Sequence, residues 1–400
     1  IMSYCIIPNI KALNLKENLQ IQLGEIPKIQ ISHSLYEYLS KSKLSIENYL
    51  PKWDNYKKIT NPYEYVHTPI SNQKNSVSTI RPLSRSFFKM IEMINSYRLL
   101  ENYENGSIKT FHLAEGPGGF IEAVCYVREK NNYKEQDHYH GMTLISKENH
   151  VPGWKRARDF IEKNNIIIES GKDKTGDLLK EENLEYCFEK YKNSMNLITG
   201  DGGFDFSISF NDQEVLATRL IFAQIIFGLV MQKKGGSLVI KFFDIYTKPT
   251  IELLMILSNY YSSCFIYKPY TSRVANSEKY IICKNFLIDD STEIYNLFKP
   301  ILKKMYINKD LAIQSFLKIP INLGFKSKIE DMNSILGQYQ IDNIRSTISL
   351  IIQSNKEKIE NQKKINIQKC LNWCMKNNIP FHPEFNTKSN QFKPIINYEK

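Results

Sequence analysis

Three short segments hold residues whose types and spacing could do chemistry. Glu115-Gly116-Pro117-Gly118-Gly119-Phe120 ends one apolar run and opens another. Glycines there let the backbone bend sharply and approach a ligand with no Cβ in the way. Their spacing is not the Gly-x-Gly-x-x-Gly of dinucleotide sites, so a ligand without a pyrophosphate fits better; the bland alternative is a tight turn with no ligand. Gly200-Asp201-Gly202-Gly203 ends a second apolar run and sets a carboxylate among small residues. Ile240-Lys241-Phe242 puts one lysine inside an apolar strand, where a charge is costly unless it is paired or emerges at the strand end. Together these are the makings of a site that binds a small molecule and handles a proton.

A fourth segment, Lys268-Pro269-Tyr270-Thr271-Ser272-Arg273-Val274-Ala275-Asn276-Ser277-Glu278-Lys279-Tyr280, narrows the reading. It resembles the Lys-Pro-x-x-Ser-Arg-x-x-Ser-Glu-x-Tyr signature of the FtsJ-like ribose 2′-O-methyltransferases, and its Thr-Ser-Arg-x-Ala-Asn-Ser-Glu form is closest to the adrift-type enzymes specific for the mRNA cap. Ser84-Arg85-Ser86-Phe87-Phe88-Lys89-Met90, Gly141-Met142-Thr143-Leu144, Asp201-Gly202-Gly203-Phe204 and Gly235-Gly236-Ser237-Leu238-Val239-Ile240-Lys241 resemble further family segments in the same order. The resemblance spans roughly residues 61 to 285 and does not cover the last quarter of the chain.

The resemblance implies a Lys-Asp-Lys-Glu catalytic tetrad at Lys89, Asp201, Lys241 and Glu278. The chemistry explains such a set. A ribose 2′-hydroxyl is a poor nucleophile, whereas the sulfonium methyl of S-adenosylmethionine is already activated, so an enzyme must hold the hydroxyl in line and take its proton. Lys241 is the candidate base. A lysine serves near neutral pH only when burial or a neighbouring cation lowers its pKa, and Lys89 is the candidate cation, also holding the attacking oxygen. Asp201 and Glu278 orient the two amines, with Asp201 near the sulfonium. The plain alternative is a buried ion-pair network of purely structural use.

For the cofactor, S-adenosylmethionine, the resemblance implies contacts from Ser84, Gly116, Pro117, Gly118, Gly119, Phe120 and Asp201, and from Asp177 to the adenine amino group, with Asp173 a competing acid. For RNA it implies Tyr63, within an Asn61-Pro62-Tyr63-Glu64 motif, and Asn211, Gln213, Glu214, Ser272, Arg273 and Asn276. Lys57 and Lys58 are candidate phosphate contacts, and Trp53 and Tyr56 a stacking face for a cap guanine. An aromatic surface packed on the core is the alternative there, and a plain helix cap the alternative for Asn211. No metal is expected: two alternating histidines, His138 and His140, make no ligand set, and Cys370 and Cys374 on one helix face read as buried thiols.

These residues need elements to position them. Apolar periodicity predicts a helix over 84–103, then strands at 109–114, 139–145, 166–169, 195–199, 237–243, 264–268 and 279–283. Helices are predicted after Gly118 and over 181–190, 212–233 and 250–260. Alternation of this kind predicts an α/β fold: a Rossmann-like methyltransferase sheet of seven mostly parallel strands, with helices on both faces and an antiparallel edge from the last two strands. The long helix is expected to start at Asn211 or Asp212 and stop at Gly235-Gly236.

Residues 1–80 read as an N-terminal extension with a cap-contacting segment, 81–290 as the catalytic domain, and 291–400 as a basic, mostly helical region. A net charge of +11 suits a polyanionic partner. The resemblance implies RNA as the partner, at the capped 5′ end of mRNA, and with it a protein of the capping machinery. With no signal peptide, and with the longest apolar stretch, 220–231, too short to span a bilayer, no membrane is expected. The expected location is the cytoplasm, with the nucleus, or a virion or viral factory, as alternatives. The abundance of Lys, Asn and Ile points to an AT-rich genome, viral or protist. Two other functions stay open: a ribose methyltransferase of ribosomal or transfer RNA, and a non-catalytic RNA-binding subunit of a capping complex.

Overall fold

The computed structural model describes residues 4–10, 13–70, 74–104, 106–129, 136–146, 148, 151–203 and 211–385. In chain order the elements are β1 (Tyr4–Ile7), α1 (Leu15–Asn18), β2 (Leu19–Gly24), α2 (His33–Leu44), α3 (Leu50–Thr60), α4 (Ser86–Tyr97), β3 (Lys109–Leu113), α5 (Gly119–Glu129), β4 (His138–Met142), α6 (Arg158–Lys163) and β5 (Ile167–Glu169). They continue with α7 (Glu181–Tyr191), β6 (Met195–Gly200), α8 (Gln213–Met231), β7 (Gln232–Phe242), α9 (Lys248–Tyr260), β8 (Tyr261–Tyr267), β9 (Lys279–Phe286), α10 (Thr292–Ile307), β10 (Ala312–Leu317), α11 (Leu323–Gln353) and α12 (Lys356–Lys376).

The main sheet runs β1-β8-β9-β7-β6-β3-β4-β5. Strands β7, β6, β3, β4 and β5 are mutually parallel, and β9 enters antiparallel between β7 and β8. The sheet has eight strands where seven were expected, because Tyr4–Ile7 of the N-terminal extension pairs antiparallel with β8. The alternation of side chains along a strand divides the core into two. Leu238, Ile240 and Phe242 of β7 join Ile281 and Cys283 of β9 in one apolar cluster, with α8, α9 and α10. Val239, Tyr280 and Ile282 join the other, with α4 and α5.

Several boundaries differ from the sequence reading. The second expected strand, 139–145, stops at Met142, and residues 143–146 leave the sheet. Helix α8 ends at Met231 and runs straight into β7, because buried Gln232 donates to the carbonyls of Met195 and Asn196. Gly235 and Gly236 therefore lie inside a strand, where Gly235 takes φ +80 at a register shift, and do not end the helix. Asp212 stands at the helix start without a side-chain capping bond. By length and composition α8 could cross a bilayer, but most of it is buried, packed on β7, α7, α9 and α10.

The boundary placed near residue 290 separates no core. The strands β2 and β10 pair with each other, α11 packs on α2 and α3, and α12 covers the 3-10 turn Glu64–Val66. The extension and the C-terminal region thus build one layer around the catalytic sheet. Trp53, offered above as a cap-stacking ring, lies in that layer's core with Leu39, Ile46, Ile341 and Ile344. Cys370 and Cys374 are buried free thiols.

One carboxylate locks this layer to the sheet. Glu92 of α4 is 2% exposed and accepts from the Tyr267 hydroxyl at 2.6 Å, the Trp373 indole at 3.0 Å, the Tyr270 amide at 2.6 Å and the Thr271 amide and hydroxyl at 3.2 and 3.1 Å. Burial raises its pKa, and these donors pull it back down. Glu92→Ala leaves buried donors without a partner, each costing about 1 to 3 kcal/mol. We expect the variant to lose about 3 kcal/mol or more, read as a lower midpoint in urea; an unchanged midpoint would show that the layer is held by other contacts.

Candidate active site

Strand register brings the tetrad together. Lys241 shares the side of Val239, facing α4, and sits opposite Tyr280 of β9. Glu278 is two residues before Tyr280, and so emerges on the same side as the strand begins. Gly200 pairs with Ile240, so Asp201, one residue beyond, leaves the sheet level with Lys241. Lys89 comes from α4, whose apolar face packs this side, and is 6% exposed.

The result is two amine–carboxylate pairs. Lys89 Nζ lies 2.6 Å from Glu278 Oε1, and Lys241 Nζ lies 3.2 Å from Asp201 Oδ1 and donates to the Asp201 carbonyl at 2.6 Å. The Tyr280 hydroxyl joins them, donating to Asp201 Oδ1 at 2.8 Å with Lys89 Nζ 3.5 Å away. All four expected tetrad residues therefore meet. Burial lowers the pKa of Lys89, and the charges of Glu278 and Asp201 pull it back. Burial would raise Glu278, but Lys89 and Lys241 hold it well below the usual carboxylate range. Glycine at 203 leaves the approach to Lys241 open, since a Cβ there would stand 3.2 Å from Nζ.

The segment 268–278 turns out to be a scaffold for Glu278. The Ser272 hydroxyl donates to Glu278 Oε1 at 2.7 Å, and Lys268 Nζ donates to the Asn276 and Glu278 carbonyls at 2.7 and 2.8 Å. Arg273 grips fully buried Glu64 through two bonds of 2.7 and 3.1 Å, a fork-on-carboxylate geometry. Glu64 also accepts from Asn61 and Thr68, so the Asn-Pro-Tyr-Glu motif braces this loop. Gln340 of α11 holds the Ala275 carbonyl at 2.9 Å.

This changes several expected RNA contacts. Ser272 is 1% exposed and committed to Glu278, and Arg273 is committed to Glu64, so both position the site from inside. Glu214 is buried, accepting from the Tyr246 and Thr247 amides and the Thr247 hydroxyl, and is a core carboxylate with no face for RNA. Gln213 accepts from Ser277, and the Asn276 side chain accepts from Lys268. Tyr63 is half-buried against Tyr270, with ring centroids 5.2 Å apart, and Lys57 pairs with Asp54. Asn211 Oδ1 is buried without a partner among the described residues, and the helix-start position is held by Asp212. Phe204 lies outside the described residues.

Across the same edge lies the glycine turn. Glu115 accepts from the Phe120 and Ile121 amides at 2.7 and 3.1 Å, closing the turn at the head of α5. Burial and the nearby Asp201 raise its pKa, while the two amides lower it. Glu115 has no role in the sequence reading; an acid just before a helix start is the signal that marks it. Gly118 adopts φ +110, and a Cβ on Gly119 would collide with Ser86 Oγ and stand 3.1 Å from the Ser84 Cβ, so the turn and the Ser84 segment abut. Phe120 contributes its backbone only: its ring is buried beside Tyr280. Gly116 and Pro117 are half-buried at the turn.

Next to the turn, a cavity of about 350 Å³ opens among Thr143, Leu144, Ile145, Ser146 and Trp154. Trp154 packs on Gly118, and its indole nitrogen is buried without a partner. Asp177 adjoins this wall through Gly176, which packs on the Thr143 carbonyl. Its Oδ1 accepts from the Leu179 amide at 2.9 Å, whereas the competitor Asp173 is saturated by Thr175 and Lys180. The residues fit S-adenosylmethionine: a turn free of side chains, a mostly apolar wall of Leu144, Ile145, Val151 and Trp154 for the base, an acid at Asp177 for its amino group and Asp201 for the cationic end.

A family model for FtsJ-like methyltransferases matches residues 82–286, about half of the chain. Cap-specific mRNA (nucleoside-2′-O-)-methyltransferase 2 of Danio rerio is 26% identical over 341 residues, covering 82% of this chain and 44% of that protein. Cap-specific mRNA (nucleoside-2′-O-)-methyltransferase 1A of Caenorhabditis briggsae is 29% identical over 245 residues, covering 59% and 27%. A protein of the same worm described as inactive, 1B, is 28% identical over 245 residues, covering 59% and 28%. The chain spans less than half the length of these relatives, and similar identity to active and inactive ones leaves the geometry of the tetrad to decide activity. With the matched model running from the segment before α4 to the end of β9, over every tetrad residue and the glycine turn, the chain belongs to the FtsJ-like methyltransferase family.

Proposed function

We propose that this chain methylates the ribose 2′-hydroxyl of RNA at the capped 5′ end of mRNA. The observation that carries the reading is the pair of lysines, each against its own carboxylate and joined through the Tyr280 hydroxyl, at the strand edge beside the glycine turn. The cap is supported by what the relatives are named for, over as much as 82% of this chain. The filled tetrad favours an enzyme over a non-catalytic subunit.

S-adenosylmethionine supplies the activated methyl group when bound. Everything else is the work of side chains. Lys89, held by Glu278, donates to the ribose oxygen and keeps its lone pair directed across the edge. Lys241, approached past Gly203 and held by Asp201, takes the hydroxyl proton as the neutral amine and becomes the ammonium that Asp201 pairs with. The Asp201 carboxylate, fixed by Tyr280 and Lys241, stands where positive charge must be accommodated, and its preorganisation avoids rearrangement during the reaction.

Methyl transfer should vanish in Lys241→Ala, while wild type should methylate a short capped transcript far faster than the uncapped one. Equal rates on both RNAs would remove the cap from the reading; activity in Lys241→Ala would remove the mechanism. Tyr280→Phe keeps the ring but deletes the bridge, and we expect kcat to fall roughly tenfold, about 1.4 kcal/mol, with the KM for RNA unmoved. Single-turnover assays check this, and an unchanged kcat would make the bridge structural only.

A further inference from the structure

Arg85 stands at the start of α4, four residues before Lys89, and its guanidinium makes no hydrogen bond or ion pair among the described residues. It is an unmatched cation in a half-buried position at the wall of a cavity, with five donors unused among the described residues. The carboxylates near it are already engaged: Glu64 by Arg273, Asn61 and Thr68, and Glu278 by Lys89 and Ser272. Arg273 itself adds repulsion. Burying a charge without a counterion is expensive, so the position calls for an anion.

The space for one is present. Arg85 lines a cavity of about 380 Å³ together with His67, Lys74, Arg81 and His382, and no carboxylate lines it among the described residues. His67 Nε2 is a buried polar atom there without a partner among the described residues. The nearby Glu384 is bonded to Asn75 at 3.1 Å. The walls come from both ends of the chain: the His382 amide donates to the Val77 carbonyl at 3.0 Å, and Ser78 bridges Phe381. The C-terminal region thereby closes a basic hollow against the helix that carries Lys89.

We propose that this hollow binds phosphates of the RNA strand, with Arg85 on the phosphate beside the methylated ribose and Lys74 and Arg81 on the next two. A guanidinium fork matches two phosphate oxygens at once, and a concave surface of one sign concentrates the field that draws a polyanion in. Arg85 fixes the register of the strand, because it and Lys89 lie one helical turn apart on α4. The proposal rests on RNA being the substrate.

Lys74 and Arg81 are exposed, so the double variant Lys74→Gln/Arg81→Gln tests the site with little risk to folding. Binding of a short single-stranded capped RNA to the full chain should weaken roughly tenfold. The slope of log affinity against log salt should shrink by about 1.4, two phosphate contacts at about 0.7 each, with the KM for S-adenosylmethionine unmoved. Arg85→Lys should bind RNA more weakly than wild type, because it keeps the charge but loses the fork. An RNA affinity and salt slope equal to wild type in the double variant would overturn the proposal. Titration with sodium tripolyphosphate separates this from a failure of the proposed function. If wild type binds neither RNA nor tripolyphosphate, the site is wrong. If tripolyphosphate binds and is lost in the double variant while RNA affinity is unchanged, the hollow takes a free anion and the RNA assignment falls.

Discussion

The difficulty of burying charge governs this structure. Two lysines and two carboxylates sit at one edge of an apolar sheet, and each is tolerable there because another neutralises it. The pairing is also what makes the site useful. An amine held at 2.6 Å from a carboxylate has a fixed direction, and the shared Tyr280 hydroxyl keeps the two pairs from moving apart. Removing one member would strand its partner, so fold and chemistry are coupled at this edge.

The additions at either end of the chain serve that constraint. Glu278 stands on a loop, and a loop alone would not hold an acid within hydrogen-bonding range of Lys89. Glu64 from the N-terminal extension grips Arg273, Glu92 grips Tyr270 and Thr271, and Gln340 from the C-terminal region grips Ala275. Trp373 ties α12 to the same Glu92 carboxylate. The catalytic sheet and its flanks are therefore one mechanical unit, built so that a single carboxylate stays in place.

Much of this was legible in the sequence, and the parts that were not share a cause. The strands and their order followed from apolar periodicity, and Lys241 stood out because a lone cation in an apolar strand needs a reason. Tyr280 closes the Ser-Glu-x-Tyr signature, but its role was not legible, because tyrosine is ordinary in a strand and only register sets its hydroxyl between Asp201 and Lys89. Ser272, Arg273 and Glu214 looked like outward-facing polar residues; their partners lie far off in the chain, and composition cannot reveal long-range pairing. The same holds for β1, four residues that become a strand only through β8. Glycines misled in one place, since Gly235 marks a bulge within β7 and not a helix end.

The central claim is that the tetrad acts on a ribose oxygen. Replacing the target ribose of a capped RNA by its 2′-deoxy form tests it directly, with transfer from labelled S-adenosylmethionine as the readout. The account predicts that incorporation into that RNA disappears while its binding persists. Continued methylation of the deoxy substrate would place the methyl group elsewhere and contradict the account.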